Sequence, residues 1–260
     1  MTPEVLLFDL DDTLMIEEAS AEAAFNEVSK YAYEKYGVNP GKFHESIRKN
    51  ARKLWHELPA HPFCQKIGIS SWEGLWANFT GDHEMLQLLA SYKDYYQFES
   101  WNNSLLEFNI DNKDFAVKLS EMFRQERRKR HITFPETHRV LEDLSSEYQL
   151  GLITNGAPDL QWEKINGGRL NKYFNHIIIS GEVNIGKPDK QIFEIALNKF
   201  GTGKERAIMI GDSIDTDIAG ARASRIKSVW LKRNNNTQYE YTTEPDYIIK
   251  NLKELVLLFK

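Results

Sequence analysis

Two short acidic strings supply the side chains that are best suited to chemistry. The first, Asp9-Leu10-Asp11, directly follows the apolar run 5–8, and the second, Gly211-Asp212, directly follows the apolar run 207–210. A run of about four apolar residues bounded by turn formers predicts a buried strand. Carboxylates held together at the end of such a strand are costly to bury unless a cation neutralises them. Because these ligands are all oxygens, the pattern predicts a hard divalent ion, with Mg2+ first among the candidates.

Two further strings add groups that can bind a phosphate. The strand-like segment 148–153 runs into Thr154-Asn155-Gly156, and Gly186-Lys187-Pro188 follows the apolar run 177–179 after a loop. The hydroxyl of Thr154 and the backbone N–H groups of Asn155 and Gly156, near a helix start, predict a phosphate cradle. Lys187 brings a positive charge that can hold a phosphoryl oxygen and offset a carboxylate.

Among the carboxylates, Asp9 is the predicted nucleophile. A carboxylate that attacks phosphorus forms an aspartyl phosphate, which divides one difficult displacement into two easier ones. Asp11 lies two residues further on, and its side chain points toward the same site as Asp9 if the strand ends in a turn. It can protonate the leaving oxygen and later deprotonate the attacking water.

The four strings D-L-D-D-T-L, T-N-G, G-K-P and G-D-S-x-x-x-D, in this order, resemble the motifs of the haloacid dehalogenase superfamily. The resemblance is strongest to the phosphatase branch that carries a helical cap after the first motif, and it extends from Val5 to about Trp230. It implies the same roles for Asp9 and Asp11, and it implies that Asp11 lends its backbone carbonyl to the metal. Asp12 stands where many relatives have glycine.

The last string completes the predicted metal site. Asp212 is expected to bind Mg2+ together with Asp9. Asp217 is expected to lie behind these ligands and to order the metal's waters or Lys187, and Ser213 to cap the helix that follows. Bound Mg2+ would screen the phosphate from the carboxylates and stabilise charge on the transferring group.

The order of helical and strand-like patterns predicts two domains. Residues 16–131 show apolar residues at steps of three and four and no pattern of a buried strand, which predicts an all-helical cap domain with its own core. Residues 1–15 and 132–260 alternate strands and helices. Such alternation predicts an α/β core domain, a Rossmann-like parallel sheet with helices on both faces.

This topology predicts where the motif residues meet. Ligands of open parallel sheets bind outside the carboxyl ends of the strands. The four motifs follow strands or the loops after them, so Asp9, Thr154, Lys187 and Asp212 are expected in one crevice.

Composition excludes several classes of partner. The chain has 260 residues and a formal net charge of -5, which argues against nucleic acid or an anionic membrane as a partner. The basic run 124–130 is interpreted as a solvated helix end. Cys64 is alone, so no intrachain disulfide can form, which suits a reducing cytosol and predicts a cytoplasmic protein. The sequence leaves open whether the protein is a monomer or a homodimer.

These observations predict a Mg2+-dependent phosphatase that acts on a small phosphorylated metabolite, with the cap selecting the leaving group. A 2-haloacid dehalogenase is the first alternative, but that branch typically lacks the second aspartate of the first motif, which is present here as Asp11. A phosphomutase would use the same core and stays open. A binding protein without catalytic activity is the least favoured alternative, because every catalytic position is filled.

Overall fold

A computed structural model describes residues 3–233 and 243–259. Its described strands form one six-stranded sheet: β1 (Val5–Phe8), β2 (Gln149–Thr154), β3 (His176–Ile179), β4 (Ala207–Gly211), β5 (Lys227–Leu231) and β6 (Tyr247–Ile249). The strands lie in the order β3-β2-β1-β4-β5-β6, and every pairing is parallel. The predicted Rossmann-like α/β fold is confirmed. The strands that precede the two acidic strings and the T-N-G string lie side by side at the centre.

The helices fall into two groups along the chain. The first group lies between β1 and β2 and comprises α1 (Glu18–Tyr36), α2 (Pro40–Glu57), α3 (His61–Ile67), α4 (Ser71–Gly74), α5 (Glu84–Leu106), α6 (Lys113–Arg128) and α7 (Thr137–Ser145). The second group follows β2 and comprises α8 (Pro158–Gly167), α9 (Ser180–Val183), α10 (Lys190–Phe200), α11 (Ala219–Ala223) and α12 (Lys253–Phe259). A single π-helical turn, Ile214–Ile218, precedes α11.

The chain divides into two compact units. One contains the described residues up to Ile16, Ile132–Gly156, and the described residues from Gln161 onward. The other contains Glu17–His131 and, in addition, Ala157–Leu160 at the start of α8. The second unit contains no strand between Glu17 and His131, all of which the structure describes.

The sheet of the first unit is buried on both faces. Leu6 and Phe8 of β1 pack with residues of α7, α8 and α12, whereas Val5 and Leu7 pack on the opposite face with residues of α10 and α11. This burial on both sides explains why the strands are uninterrupted apolar runs rather than alternating ones. Each fully buried Leu or Phe contributes about 1.5–3 kcal/mol, which fixes the strand ends that carry the motif residues.

The second unit has its own aromatic core. Trp76 and Trp101 are fully buried there, and the ring of Phe25 lies 4.4 Å from that of Phe123 and 6.5 Å from that of Trp101. Trp55 is also buried, while the remaining tryptophan of this unit, Trp72, is only partly buried. Most of the aromatic residues of this segment therefore serve its packing.

The interpretation of the run 124–130 as a solvated helix end is wrong for Arg127. Its side chain is 3% exposed, its Nη2 donates to Glu17 Oε1 at 2.5 Å, and its guanidinium lies 4.9 Å from the ring centroid of Trp76. The helical period turns this position inward, where a buried carboxylate compensates its charge.

A search of residues 3–233 and 243–259 finds no helix with the length and apolar character that a membrane span requires.

Candidate active site

A buried lysine joins two carboxylates at the carboxyl edge of the sheet. Lys187 Nζ lies 2.6 Å from Asp9 Oδ1 and 2.7 Å from Asp217 Oδ1, and all three side chains are at most 10% exposed. Asp9 directly follows β1, and its backbone N–H donates to the carbonyl of Ile210 in β4 at 2.9 Å. The predicted nucleophile is thereby fixed to two central strands, and a cation lies at hydrogen-bond distance from it.

Asp212 extends this pair into an acidic cluster. Asp9, Asp212 and Asp217 each offer a carboxylate oxygen, and these oxygens lie within 4.8 Å of one another. Thr13 holds Asp212 at two points, since its hydroxyl donates to Asp212 Oδ1 at 3.2 Å and accepts from the Asp212 backbone N–H at 3.1 Å. The indole N–H of Trp230 donates to the carbonyl of Asp212 at 2.8 Å.

The pKa values of the cluster reflect burial first and the charges of its neighbours second. Burial raises the pKa of Asp9 to about 6, although the Lys187 charge acts in the opposite direction. Burial, together with the charges of Asp9 and Asp217, raises the pKa of Asp212 to about 8. Burial alone would lower the pKa of Lys187, but the Asp217 and Asp9 carboxylates outweigh it and hold that pKa above its ordinary value. A cation between these carboxylates would relieve their repulsion.

Asp217 is held by the protein on both of its oxygens. Oδ1 accepts from Lys187, and Oδ2 accepts from the backbone N–H of Ser213 at 3.1 Å. Gly211 leaves the space that this carboxylate occupies, because a Cβ at that position would overlap with the Asp217 side chain. The hydroxyl of Ser213 accepts from the backbone N–H of Thr216 at 3.3 Å and so caps the π-helical turn.

Asn155 fixes the loop that carries the lysine. Its Nδ2 donates to the carbonyl of Lys187, and its Oδ1 accepts from the Lys187 backbone N–H, both at 2.8 Å. The backbone N–H of Gly156, expected in the phosphate cradle, donates to Ser180 Oγ at 2.9 Å. The T-N-G turn after β2 is therefore hydrogen-bonded both to the start of α9, which follows β3, and to the loop that carries Lys187.

Asp11 is hydrogen-bonded to two side chains that lie outside the four motif strings. Gln161 Nε2 donates to Asp11 Oδ2 at 3.1 Å, and Lys164 Nζ lies 3.0 Å from the same oxygen. Gln161 Nε2 also lies 2.5 Å from Thr154 Oγ1. Gln161 and Lys164 are three positions apart in α8, so they lie on one face of that helix. The sequence signal that could have identified this contact is Lys164 itself, a charged residue at a position of α8 where the helical period predicts an apolar one.

Two other acidic residues of the motif strings are Asp12 and Asp215. Asp12 adopts a left-handed backbone conformation with φ 55°, which glycine adopts most readily and aspartate tolerates. This conformation gives a physical reason for glycine at the corresponding place of similar sequences. Asp215 is exposed to solvent.

Three comparisons with known proteins identify the family and the fold. A family model described as a hydrolase, haloacid dehalogenase-like, matches residues 3–225. The chain is 34% identical over 255 residues to a phosphoserine phosphatase from Thermus thermophilus, covering 98% of both chains. Among solved structures it is similar to the magnesium-bound HAD-hydrolase YfnB from Bacillus subtilis, with a TM-score of 0.67, 19% identity and full coverage of both chains. It is also similar to a 2-haloacid dehalogenase from Pseudomonas syringae, with a TM-score of 0.61 and 26% identity over 98% of this chain and 97% of the other.

Proposed function

We propose that this protein, which belongs to the haloacid dehalogenase-like hydrolases and is a phosphoric monoester hydrolase, acts on a small phosphorylated metabolite. The proposed reaction uses Mg2+ and proceeds through an aspartyl phosphate on Asp9. One observation carries this proposal. The buried ammonium of Lys187 lies between Asp9 and Asp217, with an oxygen of Asp212 within 4.8 Å of theirs. These distances support the proposal, because it needs an attacking carboxylate, a cation for the phosphoryl oxygens and oxygen ligands for a metal close together.

The donor set fits Mg2+. The available ligands are carboxylate and carbonyl oxygens, which hard cations prefer. We propose that Asp9, Asp212 and the backbone carbonyl of Asp11 would hold the ion. Asp217 would lie behind them, because Lys187 and the Ser213 N–H already engage its oxygens. The bound ion would supply electrostatic stabilisation of the charge on the transferring phosphoryl group.

The protein's own side chains then divide the reaction between them. Asp9 attacks phosphorus while Asp11 protonates the leaving oxygen, and Asp11 afterwards takes a proton from the water that cleaves the aspartyl phosphate. Lys187 binds a phosphoryl oxygen and offsets the charge of Asp9. Thr154 contributes its hydroxyl to the phosphate. The backbone N–H groups of Asn155 and Gly156 stay in the proposed phosphate site, although Gly156 would have to exchange its contact with Ser180.

We also propose that residues 16–131 form a cap domain that restricts the substrate to small molecules, with 1–15 and 132–260 as the catalytic core. The support is that this helical segment has an apolar core of its own. The grouping of Ala157–Leu160 with the helical unit adds a feature that sequence patterns did not predict. This short segment directly follows the T-N-G turn.

The alternatives differ in what they release. A 2-haloacid dehalogenase would release halide and need no metal, and the second aspartate of the first motif, Asp11, argues against it because that branch typically lacks this residue. A phosphomutase would return the phosphoryl group to its substrate instead of releasing it. A binding protein would release neither product.

The deciding experiment measures phosphate release from a panel of phosphomonoesters and halide release from 2-chloropropionate. The panel includes O-phosphoserine, because the relative from Thermus thermophilus is a phosphoserine phosphatase. We expect phosphate release with Mg2+, none in excess chelator, and suppression by Ca2+, which is larger and accepts more ligands. Full activity in chelator, or halide release alone, would contradict the proposal.

A further inference from the structure

The proposed mechanism gives Asp11 two proton transfers, and the following inference rests on that function. We infer that Gln161 and Lys164 are positioning residues, which hold the Asp11 carboxylate in one orientation for both transfers. Neither residue belongs to the four motif strings.

Both donors meet the same oxygen of Asp11. Lys164 Nζ is 3.0 Å and Gln161 Nε2 is 3.1 Å from Oδ2. Two donors at one oxygen restrain rotation of the carboxyl group, and so they set the direction in which Oδ1 points. Catalytic geometry is sensitive to displacements of about 1 Å, so such a restraint affects the rate directly.

Burial argues that these side chains serve more than packing. Gln161 and Lys164 are both 0% exposed, in a helix that also buries Leu160 and Ile165. A buried ammonium or amide is costly unless polar partners compensate it, and apolar residues of similar volume commonly pack at lower cost. The side chain of Asp11 is 24% exposed, so the carboxylate that they hold still reaches solvent.

Gln161 also connects Asp11 to the T-N-G turn. Its Nε2 lies 2.5 Å from Thr154 Oγ1 and donates to the carbonyl of Asn155 at 2.8 Å. Gly156 leaves room for this side chain, because a Cβ there would come within 2.9 Å of Gln161 Cδ. The loop after β1 and the turn after β2 are therefore fixed to each other through one amide.

A positioning role predicts a dependence on the leaving group. An alkyl phosphomonoester needs a proton on its leaving oxygen, whereas 4-nitrophenolate leaves without one. The value of kcat/KM reports the steps up to phosphorylation of Asp9, so misplacing Asp11 should lower it for the alkyl ester only. The second step needs Asp11 as a base for either substrate, so kcat should fall for both.

The experiment compares Lys164→Met with the wild type on the best alkyl phosphomonoester and on 4-nitrophenyl phosphate. We expect kcat/KM to fall about 30-fold or more for the alkyl ester, because a misplaced acid loses part of the roughly 10²–10⁴-fold contribution of general acid catalysis, and by less than about threefold for 4-nitrophenyl phosphate. The matched control is Lys129→Met, since Lys129 Nζ also lies 3.0 Å from a carboxylate, that of Glu126, but is 66% exposed. It should leave both values unchanged.

Equal losses of kcat/KM for the two substrates, or no loss, would overturn the inference. If Lys164→Met does not fold, Gln161→Met removes the other donor and is tested in the same way. Asp11→Asn separates this inference from the proposed function. If Asp11→Asn lowers kcat/KM equally for both substrates, the proposed role of Asp11 itself is wrong. If Asp11→Asn lowers it mainly for the alkyl ester and Lys164→Met does not, only the positioning role is wrong.

Discussion

Replacing Asp212 by asparagine should stabilise the metal-free protein at pH 8 and abolish its stabilisation by Mg2+. Asparagine nearly preserves the shape of the side chain and can still accept from the Thr13 hydroxyl, which lies 3.2 Å from Asp212 Oδ1. It removes a carboxylate that burial and the charges of Asp9 and Asp217 make costly to ionise. It also removes a proposed Mg2+ ligand.

The size of the effect follows from the pKa of Asp212. In the folded protein this pKa is raised from 3.8 to about 8. A group whose folded pKa is raised destabilises the fold progressively as the pH rises from its unfolded pKa to its folded pKa, here from about 4 to about 8. Acting alone, the difference of about four pKa units would amount to about 6 kcal/mol. Part of this cost is shared with Asp9, so we expect Asp212→Asn to gain about 2–4 kcal/mol at pH 8 and less at pH 5.

Urea unfolding in chelator at pH 5 and pH 8 measures the change, with Asp215→Asn as the control. Asp215 lies three positions away and is exposed, so its variant should follow the wild type. Adding Mg2+ at 100 times its dissociation constant should raise the wild-type free energy of unfolding by about 2.7 kcal/mol. The same addition should leave Asp212→Asn unchanged.

Two results would refute this reasoning. If the stability gain of Asp212→Asn over the wild type is no larger at pH 8 than at pH 5, ionisation of Asp212 is not costly in the fold. An Asp212→Asn protein that Mg2+ stabilises as much as the wild type would remove Asp212 from the metal site.

Three further predictions concern other parts of the molecule. Gly156→Ala should lower both kcat and the melting temperature more than Gly201→Ala does. The φ of 144° at Gly156 suits an L-residue less than the φ of 60° at Gly201, and of the two positions only Gly156 would bring a Cβ against a neighbour, Gln161 Cδ at 2.9 Å; equal losses would contradict both reasons. Arg127→Met should lower the free energy of unfolding by about 3–5 kcal/mol, since it removes the cation that lies 2.5 Å from the buried carboxylate of Glu17, and a loss under about 1 kcal/mol in urea unfolding would contradict this. Small phosphomonoesters should have higher kcat/KM than phosphopeptides with the same phosphorylated group, and a clear preference for peptides would contradict a cap that restricts substrate size.

The sheet could be predicted because its strands are buried on both faces. The runs that became β1 and β4 are continuously apolar, and each ends at an aspartate that local sequence alone identifies. Helix α10 begins after Asp189, whose side chain caps it, and ends before Gly201, which adopts a left-handed conformation, and both residue types at helix ends are signals that a sequence can supply. By contrast, the edge strand β6 and helix α12 follow a polar segment and were not predicted. A three-residue strand offers too short a pattern.

Side-chain contacts across long sequence distances could not be predicted. Lys164 meets Asp11 across 153 positions, and Arg127 meets Glu17 across 110. Helical periodicity shows that such positions face inward, but it does not name the partner. The sequence after Ser213 predicts one helix, whereas the structure has a π-helical turn followed by α11. That turn carries Asp217, whose oxygens are engaged by Lys187 and the Ser213 N–H, and this tertiary constraint has no local signature.

The most direct test of the central claim is to trap the covalent intermediate. The enzyme is mixed with Mg2+ and its best phosphomonoester, quenched in acid within a single turnover, reduced with borohydride and digested for mass spectrometry. Reduction of an aspartyl phosphate gives homoserine, so we predict homoserine at position 9 and at no other aspartate. The Asp9→Asn variant, folded by circular dichroism, should show neither the modification nor turnover. Phosphate release in a single turnover without modification of Asp9, or with modification of another carboxylate, would contradict the account.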